Sequence, residues 1–229
     1  MRKQFVLVNK RGSEDIYVCI DRVYNVGYAG RDRAVVRAHV DELAAMGVDG
    51  PKHIPAIYPV ANSLICSDHL IQVQHDVTSG EVEFSLMMSD GKQYVTIGSD
   101  HSDRDLEKTS VPWAKQVYPN VVAREVWDYD EVKDHWDDIM MRCWVWKDGV
   151  RTLYQEGKVA EILSPEELIA EVKAIAGDDL ESCTIFSGTL PTIGGMICGD
   201  RYDMELEDPK LGRKLATQYR VERLADPLE

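Results

Sequence analysis

The chain has 229 residues, with 26 Lys and Arg against 40 Asp and Glu, and a formal net charge of −14. That balance argues against nucleic acid or an anionic membrane as a partner, while the 44% hydrophobic content supports one sizeable core. Five cysteines, at 19, 66, 143, 183 and 198, are odd in number and form no CxxC pair, which predicts free thiols in a reducing compartment; with no long apolar leader and no apolar run approaching about 18 residues, the expectation is a soluble cytoplasmic protein.

In chain order, residues 1–30 read as strands: Phe5–Val8, a turn at Lys10–Ser13, Ile16–Ile20, and a short third strand over Arg22–Tyr28 that Gly30 breaks. Residues 31–47 read as a helix, with Asp32 as N-cap, an apolar stripe of Val36, Val40, Leu43 and Ala44, and Gly47 at the end. His39 and Glu42 are three apart on one face of that helix, the spacing of a general base with its orienting carboxylate or of an ordinary half-buried polar pair. Pro51, Pro55 and Pro59 mark loop and short extended pieces; Leu64–Cys66 and His69–Gln74 read as strand. After the hairpin described next, His101–Lys108 reads as a polar loop or a helix start capped by Ser102 or Asp103, and Lys115 stands among apolar neighbours. The acidic run Tyr129–Asp138 reads as a short solvated helix. Ile139–Trp146 and Val150–Val159 form a second hairpin about Asp148-Gly149, and Ser164-Pro-Glu-Glu167 is a capping box that starts a helix ending at Gly177. A strand Ser182–Ser187 opens into the Gly-rich loop 188–195, an anion cradle or a simple turn. Strands Tyr202–Glu207 and Lys214–Arg223 finish the chain. The elements add up to a single α+β domain over 1–229, mainly β.

Gly80–Ser102 is where the chemistry concentrates. Asp90-Gly91 between β-type residues predicts a two-residue turn with positive φ at both positions. Ser89 then faces Lys92, Glu81 faces Asp100, and Glu83 shares the face of Glu81, so three carboxylates meet with opposed Cβ atoms roughly 5 Å apart. Like charges placed so need a cation, raised pKa values or water; hard oxygen donors without Cys or His suit Mg²⁺, Mn²⁺ or Ca²⁺ better than zinc. A solvated acidic edge strand is the alternative.

The motifs, in order, resemble those of the fumarylacetoacetate hydrolase superfamily, in its catalytic domain and a compact prokaryotic branch, from about Val23 to the C-terminus. Gly30-Arg-Asp leads to His39-Val-Asp-Glu42; Glu81-Val-Glu83 matches an E-x-E strand; Asp100-His-Ser-Asp-Arg104-Asp105 matches a motif like Asp-x-Thr-x-Arg-Asp; Pro112-Trp-Ala-Lys115 places the lysine; Gly188-Thr189 and Gly194-Gly195 match a Gly-Thr strand end and its loop. The chain departs in reading Gly30-Arg-Asp-Arg for Gly-x-Asn-Tyr, in a longer dyad helix, in a shorter interval from E-x-E to Asp100, and in Gly188-Thr-Leu-Pro for Gly-Thr-Pro.

The resemblance implies a β-roll with a few peripheral helices, usually a homodimer, and a hydrolase that cleaves a C–C bond in a small 2-oxo acid or β-diketone such as an acylpyruvate. It implies a divalent cation, Mg²⁺ first, on Glu81, Glu83 and Asp100. It implies catalytic roles for His39, Glu42 and Lys115, and substrate contacts from Thr189, Gly188 and Arg104. A lyase (decarboxylase, hydratase), isomerase or ring-opening hydrolase on a related oxo acid is the second expectation. The third is a non-catalytic acidic metal or small-molecule binder, with Glu81, Glu83 and Asp100 exposed on a flat surface and neither His39 nor Lys115 beside them.

Overall fold

Turn chemistry sets the first long-range pairing. Asp90 and Gly91 both adopt positive φ, 55° and 69°, and the strands on either side pair from Ser89↔Lys92 to Glu83↔Gly98 with no register shift. The structure, a computed structural model, describes residues 1–45, 50–226 and 228; the side chains of residue 39 and residues 42–45 lie outside the description.

Along the chain, β1 (Arg2–Asn9) and β2 (Gly12–Cys19) form an N-terminal hairpin, followed by β3 (Arg22–Gly27). Helix α1 (Arg33–Ala45) is capped by Asp32 Oδ1, which accepts from the N–H groups of Ala34 and Val35. The Pro-punctuated stretch is more regular than the sequence suggests: β4 (Ala56–Val60) is an edge strand on β3. Pro59 is tolerated there because an edge strand has one side without a ladder to donate to. Short strands β5 (Ile65–Cys66), β6 (Leu70–Val73) and β7 (Thr78–Ser79) lead to the hairpin of β8 (Glu83–Ser89) and β9 (Lys92–Asp100). Next come β10 (Ser102–Asp103), α2 (Arg104–Glu107), α3 (Val111–Val117), β11 (Asn120–Val122) and β12 (Glu125–Asp128). The second hairpin is β13 (Met140–Lys147) and β14 (Val150–Lys158), with its turn at Asp148-Gly149. Helix α4 (Pro165–Ala176) starts at the Ser164–Glu167 capping box and ends at Gly177; β15 (Cys183–Phe186), β16 (Arg201–Asp208) and β17 (Arg213–Arg223) complete the chain.

Two sheets result. The larger has the order β2-β1-β12-β9-β8-β15-β3-β4, with β11 and β5 attached beside β9; the other runs β14-β13-β16-β17-β6. One apolar core joins them, with Leu86, Val95 and Trp127 of the first sheet in the same cluster as Val145, Tyr154 and Leu206 of the second. A second cluster lies on the other face of the large sheet and gathers Phe5 and Leu7 of β1, Val18 of β2, Val23 of β3, Val60 of β4 and Met87 of β8. Residues from both ends of the sheet share it, so the sheet curls on itself. The architecture is the mainly-β roll with few helices that the sequence leads one to expect. No helix among the described residues is long and apolar enough to cross a membrane. All five cysteines are free thiols, with Cys143 and Cys183 buried.

The run Tyr129–Asp138 is not a solvated helix. It forms 3-10 turns that bury Tyr129, His135 and Trp136, and His135 Nε2 lies 2.9 Å from Asp208 Oδ1. The acidic residues made the run look wholly exposed, but its two aromatic rings pack on Phe84 and on each other.

Candidate active site

The rolled face of the large sheet changes character along its strands. Glu83, Ser85 and Met87 of β8 share one side with their β9 partners Gly98, Thr96 and Tyr94. The Met87–Tyr94 end belongs to the apolar cluster; the Glu83 end is polar. At Gly98 the far edge of β9 changes partner, from β12 (Trp127↔Val95) to β11 (Asn120↔Asp100, Val122↔Gly98). Gly98 is required at that fork, since a Cβ there would stand 2.2 Å from Val121 O.

Asp100 therefore faces Asn120, and Glu81 does not lie opposite it. Pairing stops at Glu83 because residues 80–82 are lifted from β9. A Cβ on Gly80 would stand 1.8 Å from the Tyr219 hydroxyl, the Glu81 N–H donates to Ser99 Oγ (3.0 Å), and the Val82 N–H donates to Gln155 Oε1 (2.9 Å). The three carboxylates separate into two groups.

The first group is Glu83, Asp100 and Lys115. Both carboxylates are 2% exposed. Glu83 Oε2 accepts from the Gly188 N–H at 2.9 Å. Burial, and then the Asp100 charge, push the Glu83 carboxyl well above its usual range. Its carboxyl lies within hydrogen-bonding reach of Asp100. Lys115 Nζ donates to Asp100 Oδ2 at 2.5 Å. Burial alone would discharge this ammonium, but the Asp100 and Glu83 carboxylates outweigh that and hold it charged. A lysine that looks like a surface residue in sequence is thus largely covered, its side chain 11% exposed, and paired; it is carried by α3, whose first turn is capped by Ser110 Oγ. Asp100 Oδ1 is buried and meets no donor.

The second group is Glu81, Arg104, Glu107 and Ser79. Arg104 Nη2 lies 3.1 Å from Glu81 Oε2; its Nη1 donates to Glu107 (2.9 Å) and its Nε to Ser79 Oγ (2.7 Å). Arg104 opens α2, which Asp103 caps by accepting from the Asp105 and Leu106 N–H groups. Burial works against the guanidinium charge, but Glu81 and Glu107 more than restore it.

Among the described residues no three His, Cys, Asp or Glu side chains are spaced to hold a metal ion, because Glu81 is drawn to Arg104. The Glu83–Asp100 pair nevertheless fits a hard divalent cation: two carboxylates compete for one space, and Asp100 Oδ1 lacks a donor. Mg²⁺ in particular is commonly held by one or two carboxylates, with water filling the remaining positions.

Gly188 and Thr189 are brought to the site but face the protein. Besides the Gly188 N–H on Glu83, Thr189 Oγ1 donates to Val82 O (2.6 Å) and accepts from Gln155 Nε2 (2.7 Å). The His39–Glu42 dyad has its backbone in α1, and its side chains lie outside the described residues. A cavity of about 530 Å³ lies elsewhere, lined by Arg31, Tyr129, His135 and Glu166 among others. Its polar groups bond to one another, Tyr129 to Glu166 at 2.6 Å and Arg31 to Asp137 at 2.8 Å. The buried carboxyl pair with a strongly perturbed pKa, a frequent mark of a working site, is at Glu83 and Asp100 instead.

Sequence reasoning missed two residues. Gln155 is fully buried and holds Val82, Thr189 and Leu190 O (2.6 Å) together. A register shift between Cys143 and Trp144 accompanies the burial of both Tyr154 and Gln155, and no local pattern announces that shift. Gln155→Leu leaves the Val82 N–H and Leu190 O without their partner and removes a bond to Thr189 Oγ1, and is expected to cost about 3 kcal/mol in urea unfolding; a loss under about 1 kcal/mol would show that the segment 80–83 is held by other contacts. His101, read as part of a polar loop, is buried with Tyr219 Oη 3.1 Å from its Nδ1 and Thr78 Oγ1 2.9 Å from its Nε2. Burial, helped by the Arg104 charge, lowers its pKa to about 3. The unfolded chain takes up a proton near pH 6.5 that the folded state refuses, so stability falls as pH drops from about 6.5 toward 3, by up to about 1.4 kcal/mol per pH unit. His101→Gln should flatten that limb in unfolding titrations between pH 4.5 and 6.5; an unchanged slope would assign the acid sensitivity to other groups.

The fold and the grouping of these residues define a class: the chain has the fold of the fumarylacetoacetate hydrolase superfamily. Similar solved structures include a candidate fumarylacetoacetate isomerase/hydrolase from Oleispira antarctica (17% identity, 96% of this chain and 99% of that one, TM-score 0.65). Another is a candidate fumarylpyruvate hydrolase from Burkholderia cenocepacia (18%, 97% and 96%, 0.64). A third is the apo form of 2-keto-3-deoxy-D-arabinonate dehydratase (16%, 96% and 79%, 0.65). The chain itself belongs to the family described as protein of unknown function DUF2848, which matches residues 26–219. No curated protein matches the chain.

Proposed function

We propose that the chain is a divalent-metal-dependent hydrolase that cleaves a C–C bond in a small 2-oxo acid or β-diketone of the acylpyruvate type. The observation that carries this reading is the trio itself: two buried carboxyl groups, Glu83 and Asp100, within hydrogen-bonding reach of each other, with Lys115 Nζ donating to Asp100 Oδ2 at 2.5 Å. Glu83 and Asp100 would hold the cation, with Mg²⁺ or Mn²⁺ suited to oxygen donors. When bound, the cation would supply Lewis acidity for the oxo and carboxylate or enolate oxygens and for the charge left by C–C cleavage.

The chain's own groups supply the rest. Lys115 stays an ammonium in a site shielded from water, where a donor aimed at a developing oxyanion is worth most. Gly188 and Thr189 position Glu83 and Val82 through the bonds described above, in place of the direct substrate contact that the motif suggests. Arg104 holds Glu81 beside the site. His39, with Glu42 as its orienting carboxylate, is assigned water activation, a role typically worth about 10²–10⁴-fold.

A second reading, a lyase on a related oxo acid, draws support from the dehydratase among the similar structures. The third reading, a non-catalytic acidic binder, expects exposed carboxylates without a lysine; the 2% exposure of Glu83 and Asp100 and the Lys115 bond count against it.

The test is a screen of acylpyruvates and oxaloacetate with Mg²⁺ or Mn²⁺, with and without chelator. Chelator-sensitive turnover supports the proposal; turnover that survives thorough chelation contradicts it. His39→Ala separates the first two readings: loss of C–C hydrolysis with enolate tautomerisation retained supports water activation.

A further inference from the structure

Tyr28 is the residue whose backbone asks for an explanation. Its φ is +56°, the left-handed region that a bulky aromatic residue rarely occupies. It is not a free turn tip: Asp90 and Asp148 adopt the same sign of φ beside a hairpin glycine, whereas Tyr28 follows β3 on the way to α1 and is half-buried. Strain of this kind persists where surrounding contacts over-determine it, and such positions cluster at functional sites.

The surroundings of Tyr28 are those of the candidate site. The loop that carries the Gly188 N–H onto Glu83 packs directly on this turn: a Cβ on Gly188 would stand 2.8 Å from Val26 O and 3.1 Å from the Ala29 Cβ. On the other side a second tyrosine closes in. Tyr58 of β4 pairs with Asn25, and its Cε2 lies 3.3 Å from where a Gly27 Cβ would be. Asn25 is bonded to Asn120, the residue facing Asp100. The Ala61 N–H just past β4 donates to Gln116 of α3, the neighbour of Lys115 (3.0 Å). Burial raises the pKa of both phenols; Glu107 pushes the same way and Lys115 opposes it, and for Tyr58 the neighbouring Tyr28 phenol and Asp100 also push it up. Both rings are therefore neutral and both stand within the field of Lys115 and Glu107.

We propose that Tyr28 and Tyr58 form the specificity wall of the Glu83–Asp100–Lys115 site, receiving the acyl end of the substrate, and that this end is a flat, uncharged, aryl-type group. The proposal rests on the function proposed above and deepens it. Two aromatic faces favour a planar apolar group by stacking and burial.

The experiment compares benzoylpyruvate with acetylpyruvate in the Mg²⁺-loaded full chain and in Tyr58→Ala, Tyr28→Ala and Tyr28→Gly. The native chain is expected to prefer the benzoyl substrate by about tenfold or more in kcat/KM, and each variant to lose about tenfold of that preference, mainly through KM. Glycine accepts φ +56° and alanine does not, so Tyr28→Gly should melt a few degrees above Tyr28→Ala while losing the same preference; a ring kept only for packing would give no such link between the two readouts. An unchanged benzoyl-to-acetyl ratio in all three variants overturns the wall and leaves the hydrolase reading standing. If the native chain turns over neither compound, the hydrolase reading fails, and the wall is then judged by calorimetric binding of benzoylpyruvate: binding lost in Tyr58→Ala supports it, and binding absent from the native chain or intact in the variant overturns it.

Discussion

Lys115→Met is expected to lower kcat on the acylpyruvate substrates about 10²–10³-fold, the typical cost of removing one oxyanion donor. It should also destabilise the fold by about 3–5 kcal/mol, the range seen when one partner of a buried ion pair is removed. Both effects follow from one bond, Lys115 Nζ to Asp100 Oδ2 at 2.5 Å, made where Asp100 is 2% exposed and its Oδ1 already lacks a donor. Removing the ammonium leaves a carboxylate in the interior beside Glu83, with only proton uptake to relieve it. Methionine keeps the length and apolar character of the stem, so the loss reports on the charge rather than on a cavity. Urea unfolding and steady-state kinetics on the same preparation check the two numbers. A variant as stable as the parent would mean that the ion pair contributes nothing to the fold; an equally active one would remove Lys115 from the mechanism.

The second large effect has opposite signs for stability and function. Without a cation, Glu83 sits in a place that raises its pKa through burial and the neighbouring Asp100 charge. A carboxyl whose folded pKa lies above its unfolded value contributes stability that is present below about pH 4.3 and lost as pH rises through the folded value. Glu83→Gln keeps the shape, escapes that loss, and is expected to stabilise the chelated protein at pH 7 by about 1–2 kcal/mol. The same change removes one of two carboxylates assigned to the cation. It should therefore abolish the rise in melting temperature expected of the native chain with Mg²⁺ and lower turnover about a thousandfold. Chelation of the native chain should reproduce the loss of turnover, and Mg²⁺ or Mn²⁺ should reverse it only in the native chain. A Glu83→Gln protein that is less stable in chelator and still responds to Mg²⁺ would place the cation elsewhere.

How much of this was legible in the sequence depends on the range of the interaction. Local chemistry read well: Asp90-Gly91 and Asp148-Gly149 placed both hairpins, and Ser164 with Glu167 placed the start of α4. The pairing from Ser89↔Lys92 to Glu83↔Gly98 followed from the turn alone. What the turn could not reveal is where the pairing stops. That is decided by Tyr219, Ser99 and Gln155, whose contacts lift residues 80–82 off β9. The fate of Glu81 is then decided by Arg104, which no spacing rule connects to it. Lys115 illustrates the same limit: one cation in an apolar run is ambiguous until α3 is known to lie over Asp100. The acidic run 129–138 misled because its composition hid two aromatic rings and a histidine that pack inward. The motif order identified the superfamily fold, while the hydrogen bonds of Gly188 and Thr189 to Glu83 and Val82 needed coordinates.

In the proposed mechanism Glu83 and Asp100 together would form the seat of a divalent cation. Titration of Mn²⁺ into the chelator-stripped protein, followed by electron paramagnetic resonance of the free ion, tests it without reference to any substrate. One tightly held Mn²⁺ per chain is expected, lost in both Glu83→Gln and Asp100→Asn. Equal Mn²⁺ binding by the native chain and both variants, or no binding by the native chain, would contradict it.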